Sequence, residues 1–240
     1  MIAYPLIVVI VNGAFGGVVL RQFLVRRRPH QLVWTVALLL GFLAGAFYVL
    51  FLAFGDNSVL FRLYYICGAL LMAAYLGLGS IYLLAPRRVA DLTAAALVVL
   101  SLIGIILLLM AGIDHGKLVH AAHVVGPGTS ALKPGGWKAM VAILNIFGSL
   151  AVVGGAIYSG WLTYRRHSPI TFLYANVLIA AGTFLAALAG GVADQGAFAG
   201  SFWIILAAGF VVLFAGFLLT TRRPRVSSAP TESKAEQVEA

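Results

Sequence analysis

Acidic side chains are nearly missing from this chain: seven occur in 240 residues, and three of those crowd into the last nine positions. That scarcity leaves little for paired-carboxylate chemistry or for a nucleophile with an oriented base. No Gly-x-Ser-x-Gly elbow, His-Glu-x-x-His helix or Asp-rich prenyl-diphosphate motif occurs either. A non-enzymatic protein is expected. Cysteine is missing save for Cys67, which excludes an internal disulfide and reads as a small buried apolar residue. The first hydrophobic run lacks a basic region before it and a small-residue cleavage pattern, so no cleavable signal peptide is expected.

Charge of either sign is absent over seven long runs: Met1–Leu20, Gln31–Gly55, Leu63–Pro86, Leu92–Ile113, Ala139–Tyr164, Ser168–Ala193 and Gln195–Thr221. A helix rises about 1.5 Å per residue, so roughly 20 apolar residues cross a bilayer core of about 30 Å. Lipid tolerates only helices and closed barrels, and these runs show no polar–apolar alternation. Charged residues make up 10% of the chain, against about 25% in ordinary soluble domains. The expected fold class is an all-α integral membrane protein, a seven-transmembrane-helix bundle filling residues 1–221. The expectation for residues 222–240, rich in Ser, Pro, Glu and Lys, is a disordered cytoplasmic tail.

The +9 net charge is placed, not spread. Arg21, Arg26, Arg27 and Arg28 follow the first run, Arg87 and Arg88 the third, Arg165 and Arg166 the fifth, and Arg222, Arg223 and Arg225 the seventh. The alternate gaps hold Arg62, Lys117, Lys133 and Lys138. Short loops rich in Lys and Arg stay cytoplasmic, so the N-terminus is expected outside and the C-terminus inside. The inner arginine clusters meet anionic lipid headgroups. Neither a groove nor an aromatic platform accompanies the charge, so nucleic acid is not an expected partner. Arginine outnumbers lysine twelve to four, which points to a GC-rich prokaryote and hence to the bacterial cytoplasmic membrane.

No Asp, Glu, Lys, Arg or His lies mid-run; Arg62, Asp91 and Asp194 sit at run ends. Proton relays and voltage sensors keep such charges despite their cost, so both are excluded. A microbial-rhodopsin reading fails because the seventh run offers no lysine for a Schiff base. Bis-histidine haem between helices lacks its mid-depth ligands. Asp114, His115, His120 and His123 instead cluster at the outer end of the fourth run, and imidazole suits zinc, copper or haem iron. On one helix the three histidines spread over about 140° of arc, with His115 about 12 Å from His123 along the axis. A break near Gly116 would be needed to bring them together. The alternative is an interfacial loop whose imidazoles meet water, and His30 and His167 read as solvated too. The outer loop itself, residues 114–138, carries glycines and prolines that forbid a continuous helix through its second half.

Uncharged polar residues do enter the runs. Asn12, Asn145 and Asn176 fall in the first, fifth and sixth; Tyr64, Tyr75 and Tyr82 mark the third, where 75 and 82 share a helical face. Facing a cavity, these could bind a neutral polar solute; otherwise they bond between helices. Trp34, Trp137, Trp161 and Trp203 are expected in the aromatic belts at the interfaces. Small residues recur at four-residue spacing (Gly13 and Gly17, Gly41 and Gly45, Ala151 with Gly155 and Ser159, Gly182 with Ala186 and Gly190), a pattern that lets helices pack closely or meet a partner.

A weak 3+1+3 repeat is a further expectation. Asn12 to Arg87 spans 75 residues and Asn145 to Arg222 spans 77, each interval holding two crossings and closing on an arginine pair. Sugar facilitators of the SWEET type and some vitamin carriers share this layout, but no Pro-Gln pair lies in the corresponding runs. Three functions follow in order of expectation. The first is a scaffold, assembly factor or accessory subunit, partnered by another membrane protein or by its own copies. The second is a facilitator or channel for a small neutral solute. The third is a metal-binding, haem-binding or sensory protein using the outer histidine loop.

Overall fold

The computed structural model describes residues 2–55, 57–124, 126–166, 169–192 and 201–221. The tail 222–240, His167, Asp194 and the arginines that follow the seventh run lie outside the described residues. Helices α1 (Ala3–Arg26), α2 (Pro29–Phe54), α3 (Ser58–Leu84), α4 (Arg87–Met110), α6 (Gly136–Arg165), α7 (Ile170–Val192) and α8 (Phe202–Thr221) account for all seven uncharged runs. All seven are long and apolar enough to cross a membrane. A short helix, α5 (His115–His123), lies in the loop after α4. No strand occurs among the described residues; Ile113 and Leu132 form an isolated antiparallel bridge.

Local chemistry sets the breaks. Arg27 adopts a left-handed φ of 51° and its N–H bonds the Phe23 carbonyl, after which Pro29 starts α2 at the position where its missing N–H costs nothing. The Asn57 side chain accepts from the N–H groups of Val59 and Leu60 and so caps α3. Pro86 precedes α4 in extended geometry.

Consecutive helices pack side by side within each set of three: α1 on α2 and α2 on α3, then α6 on α7 and α7 on α8. Contacts of α3 with α6 and of α8 with α1 close these into a ring of six. The remaining long helix, α4, lies outside the ring against α3 and α6. Because lipid is as apolar as leucine, such helices associate by close packing, and small residues permit it. A Cβ on Gly77 would lie 2.7 Å from the Gly148 Cα, so α3 and α6 meet backbone to backbone. Gly182 and Gly209 do the same for α7 and α8, where a Cβ on Gly182 would lie 2.6 Å from the Gly209 oxygen. Of the expected small-residue ridges, Gly13, Gly41, Gly45 and Gly182 therefore face inward, whereas Gly17 and Gly190 have nothing within 4 Å.

One helix of the ring, α3, is irregular. Residues Tyr65–Met72 of α3 form π turns, wider than α, before α geometry resumes at Ala73. Single π stretches of this kind are rare and concentrate at functional sites.

Candidate functional site

The two ends of the ring differ. At one end, the triplet Gly126–Pro127–Gly128 crosses the bundle as a strap, with Gly126 and Pro127 buried. The Tyr48 hydroxyl donates to the Gly126 carbonyl at 2.8 Å and accepts from the Gly126 N–H at 3.1 Å. Trp203 Nε1 donates to the same carbonyl at 3.4 Å. Tyr65 donates to the Pro127 carbonyl at 3.0 Å and Tyr64 at 3.5 Å. These rings pack against one another at tilted angles: Tyr48 lies 4.4 Å from Trp203 and 5.0 Å from Tyr64, and Phe61 lies 5.0 Å from Tyr65, centroid to centroid. Gly128 has φ of 67°, and a Cβ there would meet the Phe61 ring at 2.8 Å, so only glycine fits. Helices α2, α3 and α8 are thus tied together through one piece of backbone.

The loop around the strap is anchored in turn. Asp114 caps α5 by accepting from the Lys117 N–H at 3.2 Å and pairs with the Lys117 ammonium at 3.7 Å. Its own N–H donates to Ala131, and the Lys133 N–H donates to Gly112. Arg62 donates to the carbonyls of Leu108, Leu109 and Ala111 at 2.6–2.9 Å, capping the end of α4 with a cation.

Toward the opposite end, which carries the exposed Arg27, Arg87 and Arg165, all six ring helices line a partly open cavity of about 80 Å³, whose wall includes the exposed Leu83 and Leu84. Its wall includes Phe15, Trp34, Leu84, Val152, Leu213 and Phe217, with polar groups only from Ser80, Ser159 and Asn176. Trp34 is fixed there by its indole N–H, which donates to the Leu76 carbonyl at 3.1 Å, and by the bare backbone of Gly79, against which its ring lies. Phe15 stacks on Phe214 at 4.9 Å and meets Phe217 at a tilt at 4.8 Å, centroid to centroid.

The expected ligand-binding residues are not gathered into one site. Asn176 lines the cavity while its amide N–H donates to Phe172, one turn back. Asn145 bridges helices instead: its Nδ2 donates to Ala69 of α3 at 2.6 Å and to Val141 at 2.8 Å. Asn12 is fully buried, its Nδ2 donating to Val8 and its Oδ1 lacking a hydrogen-bond partner. Tyr64 belongs to the strap, Tyr75 packs among apolar side chains mid-helix, and Tyr82 donates to Asp91 at 2.8 Å beyond the other end. Tyr64 and Tyr82 are separated by about 27 Å of helix, and the π turns between Tyr64 and Tyr75 offset the shared face that an unbroken α-helix would give. The three loop histidines, His115, His120 and His123, lie on the exposed side of α5, opposite Leu118, Ala121 and Ala122. Among the described residues no three His, Cys, Asp or Glu side chains are placed to hold a metal ion.

Several residues at these two ends escape a reading of the sequence. Tyr48, the strap and the Trp34–Gly79 contact carry no motif; Gly126–Pro127–Gly128 reads only as helix-breaking. Trp137 and Trp203, expected at the interface, are each only 2% exposed, because the strap gives the Trp203 N–H a buried acceptor and the Lys133 carbonyl gives the Trp137 N–H its own. Trp161, at 48%, does face outward, with the Arg165 guanidinium 4.8 Å over its ring. His30 is half-buried, edge-on to Trp34 at 5.3 Å, where solvent was the expectation. No family model matches this chain, and no curated protein or solved structure matches it.

Proposed function

We propose that this chain is a non-enzymatic membrane protein that handles a small uncharged solute in the centre of its helix ring, as a facilitator held closed at the strap end. The observation that carries this reading is the cavity itself: every ring helix contributes to its wall, and a bonded strap crosses the far end. The positive-inside rule supports an orientation with the arginine end at the cytoplasm and the strap outside. The contact order supports the 3+1+3 arrangement, since exchanging the two triplets converts the α3–α6 contact into the α8–α1 contact.

Size and lining define the solute. The cavity is about half the roughly 150 Å³ that admits benzene in an engineered apolar cavity, so a molecule of a few heavy atoms fits it unaltered. The apolar wall rejects charge, because an unpaired ion there has no compensating partner. Ser80, Ser159 and Asn176 offer hydrogen bonds to one polar group. Stopped-flow light scattering on proteoliposomes, with glycerol, acetamide and 1,2-propanediol as probes, tests this. At least one probe should equilibrate faster than in protein-free vesicles, and the gain should vanish in Ala156→Trp. Rates equal to protein-free vesicles for all three would end the reading.

A scaffold or accessory subunit is the second reading. Asn145 favours it, because this amide joins α6 to α3 and does not line the cavity. Native-membrane pull-down in mild detergent with mass spectrometry separates the two: a stoichiometric membrane partner supports the scaffold, a solitary chain the facilitator.

A further inference from the structure

Three observations converge on the middle of α3. Phe61 and Tyr64 above its π stretch, with Tyr65 at the first position of the stretch, hold the strap and Gly128; below it, Leu76, Ser80, Leu83 and Leu84 line the cavity. The stretch itself, Tyr65–Met72, joins the two groups within one helix. Where five-residue π bonding hands back to four-residue α bonding at Ala73, the count of donors leaves one carbonyl without a helical partner. The Ala69 carbonyl lies at that handover, and the Asn145 amide donates to it at 2.6 Å from the neighbouring helix. Asn145 is simultaneously braced on its own helix by Val141, so its amide is aimed before α3 arrives. Gly148, one turn along α6, lets the two backbones come this close.

We propose that Asn145 is a positioning residue that stabilises the π form of α3 and thereby couples the strap to the cavity. Loss of the π stretch moves the register of one half of α3 by one residue, a turn of about 100° and a shift of about 1.5 Å relative to the other half. Such a rotation cannot leave Tyr64 and Tyr65 on the strap and Leu76 and Ser80 on the cavity together. The strap-closed, cavity-formed state and its opposite are then two states of one helix, selected by whether Ala69 has its outside donor. This deepens the facilitator reading by naming the regulation of its site and rests on that reading for its purpose, but its test does not depend on transport.

The test reads accessibility. Cys67 is buried and stays in place; reporter cysteines are introduced as Ala131→Cys beside the strap and Ala156→Cys in the cavity wall, both positions buried. Maleimide labelling rates are measured in lipid nanodiscs with Asn145 intact, as Asn145→Leu, and as Asn145→Gln, which keeps an amide donor. In Asn145→Leu the rate at position 131 should rise about tenfold and the rate at position 156 should change with it, while Asn145→Gln stays nearer the parent. Asn145→Ser replaces the leucine variant if the latter does not purify as a monodisperse helical protein. Rates within twofold of the parent at both positions, or a change at one position alone, would overturn the coupling. Unchanged solute flux together with the paired change in labelling would overturn the facilitator reading and leave the coupling standing.

Discussion

The strap end holds itself by direction, the arginine end by shape. At the strap, buried N–H and carbonyl groups meet phenol and indole partners, and each bond fixes an angle as well as a distance. At the arginine end, Phe15, Trp34, Leu213 and Phe217 surround a void through van der Waals contact, which falls off smoothly as side chains shift. The directional end resists small displacements and fails all at once. The apolar end tolerates repacking and can change volume. That division suits the facilitator proposed above, which would stay shut on one side while accommodating a guest on the other.

Truncating the strap's largest side chain tests the contrast most severely. Trp203 is 2% exposed and packs at a tilt against Tyr48 and edge-on to Phe202, so Trp203→Ala removes both rings' support and a donor to Gly126. A loss of about 3–5 kcal/mol is expected, read as a lower melting temperature in detergent and faster proteolysis near the strap. A subtler version is Tyr48→Phe, which keeps the ring and deletes only the hydroxyl. Both backbone groups of Gly126 lose that partner inside the protein, which should cost about 1–3 kcal/mol. If Tyr48→Phe were neutral, the strap would be held by packing and the two ends would not differ in kind.

The opposite sign is expected at the other end. Ala156 is buried in the cavity wall, and Ala156→Leu places three more carbons into an existing void. Filling a cavity of this kind commonly stabilises by about 0.5–2 kcal/mol, so the melting temperature should rise while solute handling is lost. A destabilised Ala156→Leu would mean that the wall cannot yield, and the apolar end would be as rigid as the strap.

Much of this architecture is legible in the sequence because lipid imposes a simple rule: backbone must bond to itself, so uncharged runs of sufficient length become helices. The seven described long helices follow the seven runs, and even the short breaks coincide with Arg27–Arg28, Asn57 and Pro86. The two ends were far less legible. A strap bond between Tyr48 and Gly126 joins residues 78 apart in the chain, and nothing local to either announces the other. The π stretch hides for another reason. Tyr-Ile-Cys-Gly-Ala-Leu-Leu-Met has ordinary helical character, and the amide proposed above to hold it in the π form lies on α6, 76 residues from the carbonyl it meets. Asn145 itself stood out as a polar residue in lipid, but its role depends on a carbonyl that only the folded helix leaves over.

The smallest expected effect lies outside both ends' interiors and marks where the comparison stops. Asp91 accepts from the Tyr82 hydroxyl at 2.8 Å and pairs with Arg87 at 3.0 Å, a geometry as tidy as any at the strap. Yet both members of the ion pair are exposed, with side chains 67% and 50% accessible. Water competes for each partner there, and the charges are screened, so good distances bring little stability. Asp91→Asn should therefore leave the melting temperature unchanged within the reproducibility of the measurement, in contrast to the clear loss in Tyr48→Phe. The hydrogen-bond lengths at the two places are alike; what separates them is whether solvent can replace the partner. A large effect of Asp91→Asn would show that this corner is covered in the working protein, and a covering subunit at the arginine end would then favour the scaffold over the facilitator.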